Sequence, residues 1–367
     1  MRIALVHDFL VHLRGAERVF LALTNIFPTA DLYLLAGDQQ LIHRLLPGRR
    51  VSLSALGRLP FAQRTFRAWL PLYPYAIERF DLEAYELVIS SSMGFAHGVI
   101  TQPATCHICC SHTPLRYAWS WYHRYLETQS RPASLLSQLV LHGIRQWDRQ
   151  AVDRVDYFVA GSRFNQQRLR KYYRRDAALI HYPIDVSEFS VAGHVEDYYL
   201  VVSALMPYKR VDIAVQAFNL LGLPLKVIGE GPEIERLRAM ARSNVQFLGA
   251  VADEQVRDAY ARCRAFLFTT EEDYGLTPLE AQASGRPVIA YGAGGALETV
   301  VEGVTGLFFH EQTAAALAEA VARYDPGHFD PAVIRQHALS FDVSTFGRQL
   351  TAFVVDRVAE YRRGMRG

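Results

Sequence analysis

Long apolar runs and cysteines are scarce in this chain of 367 residues. No stretch approaches the roughly 18 consecutive apolar residues that a membrane-spanning helix requires. The first residues, MRIALVHDF, reach a histidine and an aspartate too early for the apolar core of a signal peptide, so they predict a first β-strand. Four cysteines are too few for a disulfide-stapled scaffold and suit a reducing compartment, so we expect a cytoplasmic protein.

Three of the four cysteines fall in one short segment, CHICCSH, together with two histidines. Its candidate zinc ligands are Cys106, His107, Cys109, Cys110 and His112. The segment has the apolar character of a strand, in which alternate side chains point to opposite faces, and no second ligand pair follows at zinc-finger spacing. We therefore predict buried strand cysteines and no bound metal.

Segments typical of strands alternate with helical segments along the chain, and the alternation restarts after an aperiodic stretch at residues 183–197. This pattern predicts an α/β protein of two doubly wound, Rossmann-like domains with parallel sheets. We place the domains at residues 1–187 and 188–345, and we expect a helix in residues 346–367 to cross back to the first domain. Ligands should bind at the carboxyl ends of the strands, in the cleft that the domains face across.

Charge is distributed unevenly, although the net charge is only +2. Residues 1–190 hold 22 Lys and Arg against 15 Asp and Glu, whereas residues 191–367 hold 17 against 22. The positive excess is greatest in residues 39–77, which contain six arginines, no acidic residue and many large apolar side chains. Interleaved arginine and aromatic residues suit an anionic membrane surface better than nucleic acid. A solvated, arginine-rich helical lobe is the alternative.

Lysine is also scarce, since only Lys171, Lys209 and Lys226 accompany 36 arginines. Lys209 and Arg210 follow the first predicted strand of the second domain and stand at a helix start, where two cations oppose the helix dipole. An anionic ligand would resolve this conflict, and lysine offers it a compact charge. Gly15 opens the first helix of the first domain, where free backbone amides suit a phosphate. Neither segment has the pattern of a dinucleotide fold or of a P-loop.

Residues 271–285, EEDYGLTPLEAQASG, combine adjacent carboxylates with a helix start. Thr277, Pro278 and Glu280 fit a capping box with Thr277 as the N-cap, which accounts for Glu280 without a ligand. It does not account for the acidic run at residues 271–273, because adjacent like charges repel. Carboxylates for hydroxyl groups, together with two positive helix ends for a diphosphate, predict a nucleotide-sugar ligand.

Through these segments the chain resembles the retaining GT-B glycosyltransferases of group 1, or family 4 type, over nearly its whole length. The most specific element is EDYGLTPLE, which has the group's pattern of two glutamates separated by seven residues, followed by AQASGRPVIAYGAGGALETV. The resemblance implies that Glu272 contacts hydroxyls of the donor sugar and that Glu280 contacts those of the ribose. It also implies that the backbone amides of Gly275, Leu276 and Thr277 lie against the sugar and phosphate.

Three further segments, HTPLRYAWSWYHRYL, VDYFVAGSRFNQQRLRKYY and MPYKRVDIAVQAFN, are similar to bacterial GDP-mannose-dependent α-mannosyltransferases of O-antigen and exopolysaccharide assembly. By this resemblance His112 is the active-site histidine near the donor sugar, and it acts with Glu272 and Lys209. Lys209 binds the diphosphate, either with less help than in relatives or with Arg210 in place of an arginine that many relatives carry at position 204. The base is implied to lie beside a loop whose contacting residues are Val251 and Asp253.

The implied reaction moves mannose from GDP-mannose to a hydroxyl of a lipid-linked saccharide with retention of configuration, without a metal or other cofactor. Residues 1–187 would bind the acceptor and the inner face of the cytoplasmic membrane, and residues 188–345 the nucleotide sugar. Two positions depart from the family pattern, because Ala204 stands where many relatives carry arginine and Ser120 where many carry aspartate. The alternatives are a UDP- or dTDP-linked donor, a nucleotide-sugar epimerase of this architecture, and a non-catalytic binding protein.

Overall fold

The structure, a computed structural model, describes residues 1–59, 69–127 and 129–365. It consists of two compact units. The first comprises Met1–Tyr182 together with Phe346–Gly367, and the second comprises Pro183–Thr345. The predicted boundary between residues 187 and 188 lies a few residues inside the second unit.

The first unit contains, in its described part, a seven-stranded sheet with the order β3-β2-β1-β4-β5-β6-β7, and all paired strands are parallel. The strands are β1 (Ile3–Leu10), β2 (Asp31–Gly37), β3 (Val51–Leu53), β4 (Leu87–Ser92), β5 (Cys106–Ser111), β6 (Tyr157–Ala160) and β7 (Ala177–Leu179). The helices are α1 (Gly15–Ile26), α2 (Gln39–Leu45), α3 (Tyr73–Glu78), α4 (Tyr122–Glu127), α5 (Arg131–Ala151) and α6 (Arg163–Arg168), the last continuing as a π-helix over Leu169–Tyr173.

The central strands of this sheet are buried along their whole length. Every residue of β4, LVISSS, and of β5, CHICCS, is buried, as expected for parallel strands that helices cover on both faces. All four cysteines of the chain are free and buried, and three of them lie in β5. The prediction of buried strand cysteines is therefore confirmed.

The second unit contains, among its described residues, a six-stranded parallel sheet with the order β10-β9-β8-β11-β12-β13. The strands are β8 (Tyr199–Val202), β9 (Leu225–Ile228), β10 (Val245–Gly249), β11 (Phe266–Phe268), β12 (Val288–Tyr291) and β13 (Gly306–Phe309). The helices are α7 (Val211–Leu221), α8 (Ile234–Met240), α9 (Asp253–Arg262), α10 (Leu276–Ala283), α11 (Ala296–Thr299), α12 (Ala314–Arg323) and α13 (Pro331–Leu339).

Helix α7 shows how the local sequence builds this unit. Ile213, Ala217 and Phe218 recur at helical spacing and are buried in the core of the second unit. The helix ends at Leu221 and is capped by Gly222, which adopts φ 68° and accepts the left-handed conformation at little cost. Two doubly wound parallel sheets confirm the predicted fold class of two Rossmann-like domains.

The last helix, α14 (Val343–Gly364), makes its terminal contacts with the first unit. The Tyr361 hydroxyl donates to the carbonyl of Pro103 at 2.6 Å, and the Arg362 guanidinium lies 2.7 Å from a carboxylate oxygen of Glu86. Within the described ranges, none of the helices combines the length and the apolar character needed to span a bilayer.

The basic segment at residues 39–77 is described in part. It contains α2, the short strand β3 and α3, and its exposed apolar side chains include Leu72 and Tyr75. Arg64 and Arg67, at the centre of the predicted membrane contact, lie outside the described residues.

Each sheet has one point at which the strand order reverses. In the first sheet this switch point lies between β1 and β4, and in the second between β8 and β11. The chain leaves these neighbouring strands in opposite directions, so their loops diverge and leave a crevice at the carboxyl ends of the strands. The switch points are therefore the places at which to look for ligand-binding residues.

Candidate functional site

Lys209 ends a short 3-10 turn, Pro207–Lys209, that follows strand β8. Its ammonium group forms an ion pair with the carboxylate of Glu272, which lies on the loop after β11. The two side chains remain 16% and 20% exposed, so a ligand can reach them. Two residues predicted to bind the diphosphate and the sugar therefore meet at the switch point of the second sheet.

Two threonines after β11 hold the turn that carries Lys209. The Thr269 hydroxyl donates to the carbonyl of Lys209 and the Thr270 hydroxyl to the carbonyl of Tyr208, each at 3.0 Å. The side-chain amide of Gln312 donates to the carbonyl of Thr269 at 2.9 Å. Both threonines are buried, so these bonds fix the turn to the sheet. The sequence analysis did not identify these threonines. Two hydroxyl side chains directly after an apolar strand are, however, a pattern that indicates hydrogen bonding at the end of the strand.

The loop that carries Glu272 packs closely against two glycines. The N–H of Gly295 donates to the carbonyl of Glu272 at 2.8 Å. A Cβ at Gly294 would lie 2.3 Å from that carbonyl oxygen, and a Cβ at Gly295 would lie 2.2 Å from the carbonyl oxygen of Tyr274. Gly294 also adopts φ +61°, where residues with a side chain are strained. The two glycines therefore set the path of the acidic loop.

Helix α10 begins earlier than predicted. Gly275 adopts φ 86° and is the N-cap, so the helix starts at Leu276, and Thr277 and Glu280 lie inside it. The predicted capping box is therefore wrong, because a glycine in the left-handed region lets the chain enter the helix before Thr277. Glu280 instead accepts a 3.0 Å hydrogen bond from the hydroxyl of the buried Tyr260. Capping does not account for this glutamate.

Arg210 adopts φ 51° and immediately precedes α7. Its guanidinium pairs with Asp212, with Nε 3.1 Å from Oδ1, and Lys209 pairs with Glu272. The two cations at this helix start are thus balanced by carboxylates of the chain itself. The conflict with the helix dipole therefore does not by itself require an anionic ligand, and the anion predicted at this helix start stays a prediction.

Val251 and Asp253 lie at the side of the second sheet that ends in β10. Val251 follows this strand, and Asp253 is the first residue of α9. Because β9 separates β10 from β8, these two residues are displaced by two strands from the turn that carries Lys209.

In the first unit, Gly15 is the first residue of α1, as predicted. The first turn of this helix already contains a carboxyl group, because Glu17 Oε2 accepts a hydrogen bond from the backbone N–H of Arg14 at 3.0 Å. Burial raises the pKa of Glu17 to about 7. A phosphate at Gly15 would therefore share the helix start with a buried, weakly acidic side chain.

His112 directly follows strand β5 and belongs to a cluster of three residues. Its Nε2 lies 2.8 Å from Oγ of Ser91, on β4. The same Oγ lies 3.1 Å from Nδ1 of His7, on β1, and this Nδ1 is 2.9 Å from the carbonyl oxygen of Ser91. His7 is buried and stacks on Phe20, with 4.6 Å between ring centroids. The cluster lies at the switch point of the first sheet.

Both imidazoles of this cluster are neutral at physiological pH. Desolvation lowers the pKa of His7 to about 4 and the pKa of His112 to about 3, with a smaller contribution to the latter from His7. A neutral imidazole can donate or accept a hydrogen bond but supplies no positive charge. His112 therefore suits the orientation of a polar ligand rather than the stabilisation of an anion.

The two neighbouring serines of β4 hold histidines on the opposite face of the sheet. Ser90 Oγ lies 2.8 Å from His107 Nε2, and Ser92 Oγ lies 3.1 Å from His97 Nδ1. His97 Nε2 also lies 3.2 Å from a carboxylate oxygen of the buried Asp148. Each of the three consecutive serines of β4 thus contacts a histidine of the first unit.

No group of three or more His, Cys, Asp and Glu side chains is arranged to hold a metal ion in residues 1–59, 69–127 and 129–365. Two cavities have volumes of about 190 and 350 Å³, and the lining of the larger one includes Glu254, next to the candidate Asp253. The first is lined by residues that include Arg2 and Asp31, and the second by residues that include Tyr198 and Lys226. The first cavity adjoins the amino ends of strands, opposite the edge where parallel sheets bind ligands, whereas the second also touches Leu248 near the carboxyl end of β10.

Residues 187–324 match the family model described as "Glycosyl transferases group 1". The matched segment contains strands β8 to β13 and the residues Lys209, Glu272 and Glu280. The ion pair of Lys209 and Glu272 therefore lies inside the matched segment.

Two curated relatives are similar to parts of the chain. The GDP-mannose-dependent alpha-(1-6)-phosphatidylinositol monomannoside mannosyltransferase of Mycobacterium tuberculosis is 34% identical over 139 residues, which are 33% of this chain and 36% of that protein. The D-inositol 3-phosphate glycosyltransferase of Mycobacteroides abscessus is 26% identical over 250 residues, which are 60% of this chain and 56% of that protein. The chain thus spans between about a third and just over half of the length of these relatives.

Solved structures resemble the chain over nearly its full length. Anabaena Alr3699/HepE in complex with UDP and glucose has a TM-score of 0.72 at 19% identity, covering 97% of this chain and 99% of that chain. Sucrose-phosphate synthase from Thermosynechococcus elongatus has a TM-score of 0.72 at 17% identity, covering 97% and 100%. At these identities the likeness establishes the fold, which is the two-domain GT-B architecture.

Proposed function

We propose that this protein is a glycosyltransferase that moves a sugar from a nucleotide-sugar donor to a hydroxyl group of an acceptor. The observation that carries the proposal is the ion pair of Lys209 and Glu272 at the switch point of the second sheet, inside the segment that matches the group 1 model. A cation for a diphosphate and a carboxylate for sugar hydroxyls are the two groups that a nucleotide sugar needs.

In this proposal, donor binding opens the ion pair. The diphosphate takes the place of the Glu272 carboxylate beside the Lys209 ammonium, and Glu272 turns to accept hydrogen bonds from hydroxyls of the sugar. Negative charge develops on the diphosphate as the glycosidic bond breaks, and Lys209 and the first backbone amides of α10 stabilise it. Glu280, positioned by Tyr260, accepts hydrogen bonds from the ribose.

The finer proposal is transfer of mannose with retention of configuration. We assign no carboxylate as a covalent nucleophile, so the acceptor attacks on the face that the diphosphate leaves. An oxygen of the diphosphate takes the proton of the acceptor hydroxyl, and the neutral His112 orients the sugar. Lys209 and the helix amides carry the charge of the diphosphate, so we propose that turnover needs no divalent metal.

GDP-mannose is the proposed donor. It is supported by the resemblance of residues 112–126 and 206–219 to GDP-mannose-dependent enzymes and by the 34% identity to the mycobacterial mannosyltransferase over 139 residues. A UDP-linked sugar is the alternative, because the Anabaena protein of the same fold binds UDP. A nucleotide-sugar epimerase of this architecture would invert a stereocentre of the sugar and use water rather than an acceptor hydroxyl.

A donor panel tests the proposed function. GDP-mannose at a hundredfold excess over its Kd should stabilise the protein by ~2.7 kcal/mol. Stronger stabilisation by a UDP- or dTDP-sugar would contradict the assignment of GDP-mannose as the donor. It would not affect the proposal that the protein is a glycosyltransferase. Turnover with a membrane lipid extract should yield a glycosylated lipid and should persist in EDTA. Formation of a free epimerised sugar without any glycosylated lipid would contradict the transferase.

We place the acceptor, a lipid-linked saccharide, at an anionic membrane surface that the first unit binds peripherally on the cytoplasmic side. A row of leucines on α5 supports this placement in addition to residues 39–77. Leu135, Leu136 and Leu139 are 65%, 65% and 75% exposed. Helical spacing puts them opposite Leu141 and Ile144, which are buried. No acidic residue occurs between residues 129 and 147, so a negative surface would meet no like charge there.

Cosedimentation with vesicles of neutral and anionic lipids tests the membrane contact. The double change Leu135→Ser and Leu139→Ser, and separately Arg64→Glu with Arg67→Glu, should release the protein from anionic vesicles. The matched control is Leu220→Ser, which alters a leucine of the second unit that is 71% exposed. Equal cosedimentation of all variants would contradict the contact, and concentration-dependent self-association lost in the leucine variant would assign the row to a second copy of the chain.

A further inference from the structure

We propose that Ser91 and His7 hold His112 in the neutral tautomer that carries its proton on Nδ1. His112 then presents an N–H donor at the ring nitrogen that has no hydrogen-bond partner in the described part of the chain. Three residues from β1, β4 and the end of β5 thus form a chain of hydrogen bonds whose direction is set by one backbone carbonyl.

The directions of these hydrogen bonds follow from the position of the proton on His7. Its Nδ1 lies 2.9 Å from the carbonyl oxygen of Ser91, and a carbonyl oxygen can only accept a hydrogen bond. The proton of the neutral His7 ring must therefore be on Nδ1. The opposite nitrogen, Nε2, is buried and has no partner within the described residues, as expected for the nitrogen without a proton.

The hydroxyl of Ser91 accepts a hydrogen bond from His7 and donates one to His112. Its Oγ lies 3.1 Å from the protonated Nδ1 of His7, so on that side Oγ accepts. The hydroxyl hydrogen must then point elsewhere, and Nε2 of His112, at 2.8 Å, is the other hydrogen-bond neighbour of this Oγ in the described structure. Ser91 is fully buried, and the reverse arrangement would leave its hydroxyl hydrogen without an acceptor, which is costly.

The tautomer of His112 follows from these two steps. Nε2 accepts the Ser91 hydroxyl and therefore carries a lone pair, so the single proton of the neutral ring is on Nδ1. Neither Ser91 nor His7 needs to touch a substrate, and both are positioning residues.

The inference deepens the proposed function and rests on it in one respect, namely that His112 meets the donor sugar. An Nδ1–H group donates to an oxygen of the sugar, either a hydroxyl oxygen or the ring oxygen, and it cannot take a proton from the acceptor. His112 therefore orients the donor sugar and is not the base of the reaction, in agreement with proton transfer to the diphosphate.

Long-range proton–nitrogen NMR of the full chain labelled with 15N-histidine, without any donor, tests the tautomer directly. The His112→Gln variant assigns the resonances. In the unaltered protein, Nδ1 of His112 should show the shift of a protonated nitrogen and Nε2 the shift of an unprotonated one. Ser91→Ala should lose this single form and populate both tautomers, whereas Ser91→Thr, which keeps a hydroxyl, should restore it.

The matched control is Ser90→Ala, which removes the hydroxyl beside His107 on the other face of the same strand. This change should alter the His107 signals and leave the tautomer of His112 unchanged. A protonated Nε2 on His112 in the unaltered protein overturns the inference even if every serine variant fails to fold, and so does an unchanged tautomer in a folded Ser91→Ala protein. Because no donor is present, failure of the transferase assay does not affect this result, and a correct tautomer does not rescue the transferase.

Discussion

The two units have the same sheet plan but different chemistry at their switch points. In the first unit, the switch point where β1 and β4 are neighbours carries two histidines with neutral rings. These rings are hydrogen-bonded to Ser91 and to its backbone carbonyl. In the second, the residues after β8 and β11 are a lysine and a glutamate, paired with each other and partly exposed. The first arrangement holds its rings by hydrogen bonds within the unit and leaves one ring nitrogen of His112 for a ligand, whereas the second offers two charges that a ligand can separate. In the proposed function, the first unit therefore orients the sugar and the second stabilises the charge of the diphosphate.

Removing the ammonium group of Lys209 should produce the largest effect. Lys209→Ala should lower turnover by roughly 100- to 1,000-fold, because a group that stabilises the charge of the leaving diphosphate is lost. Initial rates with GDP-mannose and circular dichroism measure activity and folding together. Lys226→Ala is the matched control, since Lys226 forms an ion pair with Glu196 elsewhere in the second unit. Near-normal turnover in a folded Lys209→Ala protein would show that the ion pair is only structural.

Acid should destabilise the first unit more than the second. Desolvation lowers the pKa of His7 to about 4 and of His107 and His112 to about 3, so below pH 6.5 the unfolded chain binds protons that the folded unit does not. Each of the three histidines should therefore lower the stability of the first unit by ~3 kcal/mol as the pH falls from 6.5 to about 4. Asp8 and Glu17 act in the opposite direction, because burial raises the pKa of their carboxyls to about 6 and about 7.

Tryptophan fluorescence can follow this acid effect, because all four tryptophans lie in the first unit. Urea unfolding at pH 7 and pH 4.5 should show the loss, and His107→Gln should reduce it. The exposed His43 provides the control, since His43→Gln should leave the pH dependence unchanged. Identical unfolding midpoints at both pH values would contradict the neutral histidine network.

Changing Glu272 separates its proposed contact with the sugar from the proposed contact of Lys209 with the diphosphate. Glu272→Gln should lower turnover with GDP-mannose by ~1.5–3 kcal/mol, because a charged hydrogen bond to the sugar is lost. GDP affinity should not fall, since the change also releases Lys209 from its ion pair. Calorimetric titration with GDP and steady-state rates separate the two quantities. Weaker GDP binding with unchanged turnover per bound donor would reverse the assigned roles of the pair.

The smallest expected effect concerns the support of Glu280. Tyr260→Phe removes the hydroxyl that donates to this carboxylate and keeps the buried ring. GDP and GDP-mannose should both bind more weakly, by ~1 kcal/mol, because both contain the ribose. Tyr324→Phe is the control, since Tyr324 also donates to a carbonyl within the second unit, that of Arg264. An equal loss of affinity in both variants would indicate general destabilisation instead of a role for Glu280.

Much of the fold could be predicted because apolar strands and amphipathic helices leave a periodic signal. The Lys209 and Glu272 region was also found from sequence, since charges after apolar strands stand out locally. The first cluster could not be found in this way, because His7 and Ser91 are 84 residues apart and lie in continuous buried strands. The cap at Thr277 was predicted wrongly because the backbone angle of Gly275 is not visible in a sequence.

The two glycines that pack against the acidic loop have a practical consequence for changing donor preference. Any side chain at Gly294 or Gly295 would collide with backbone carbonyls of residues 272 and 274, not with side chains that could move aside. A mutant library in this region should therefore vary the exposed Glu271 and leave both glycines constant. Variation at the glycines would mostly yield misfolded loops, so useful sequence diversity in the acidic loop is confined to the residues that do not pack against Gly294 and Gly295.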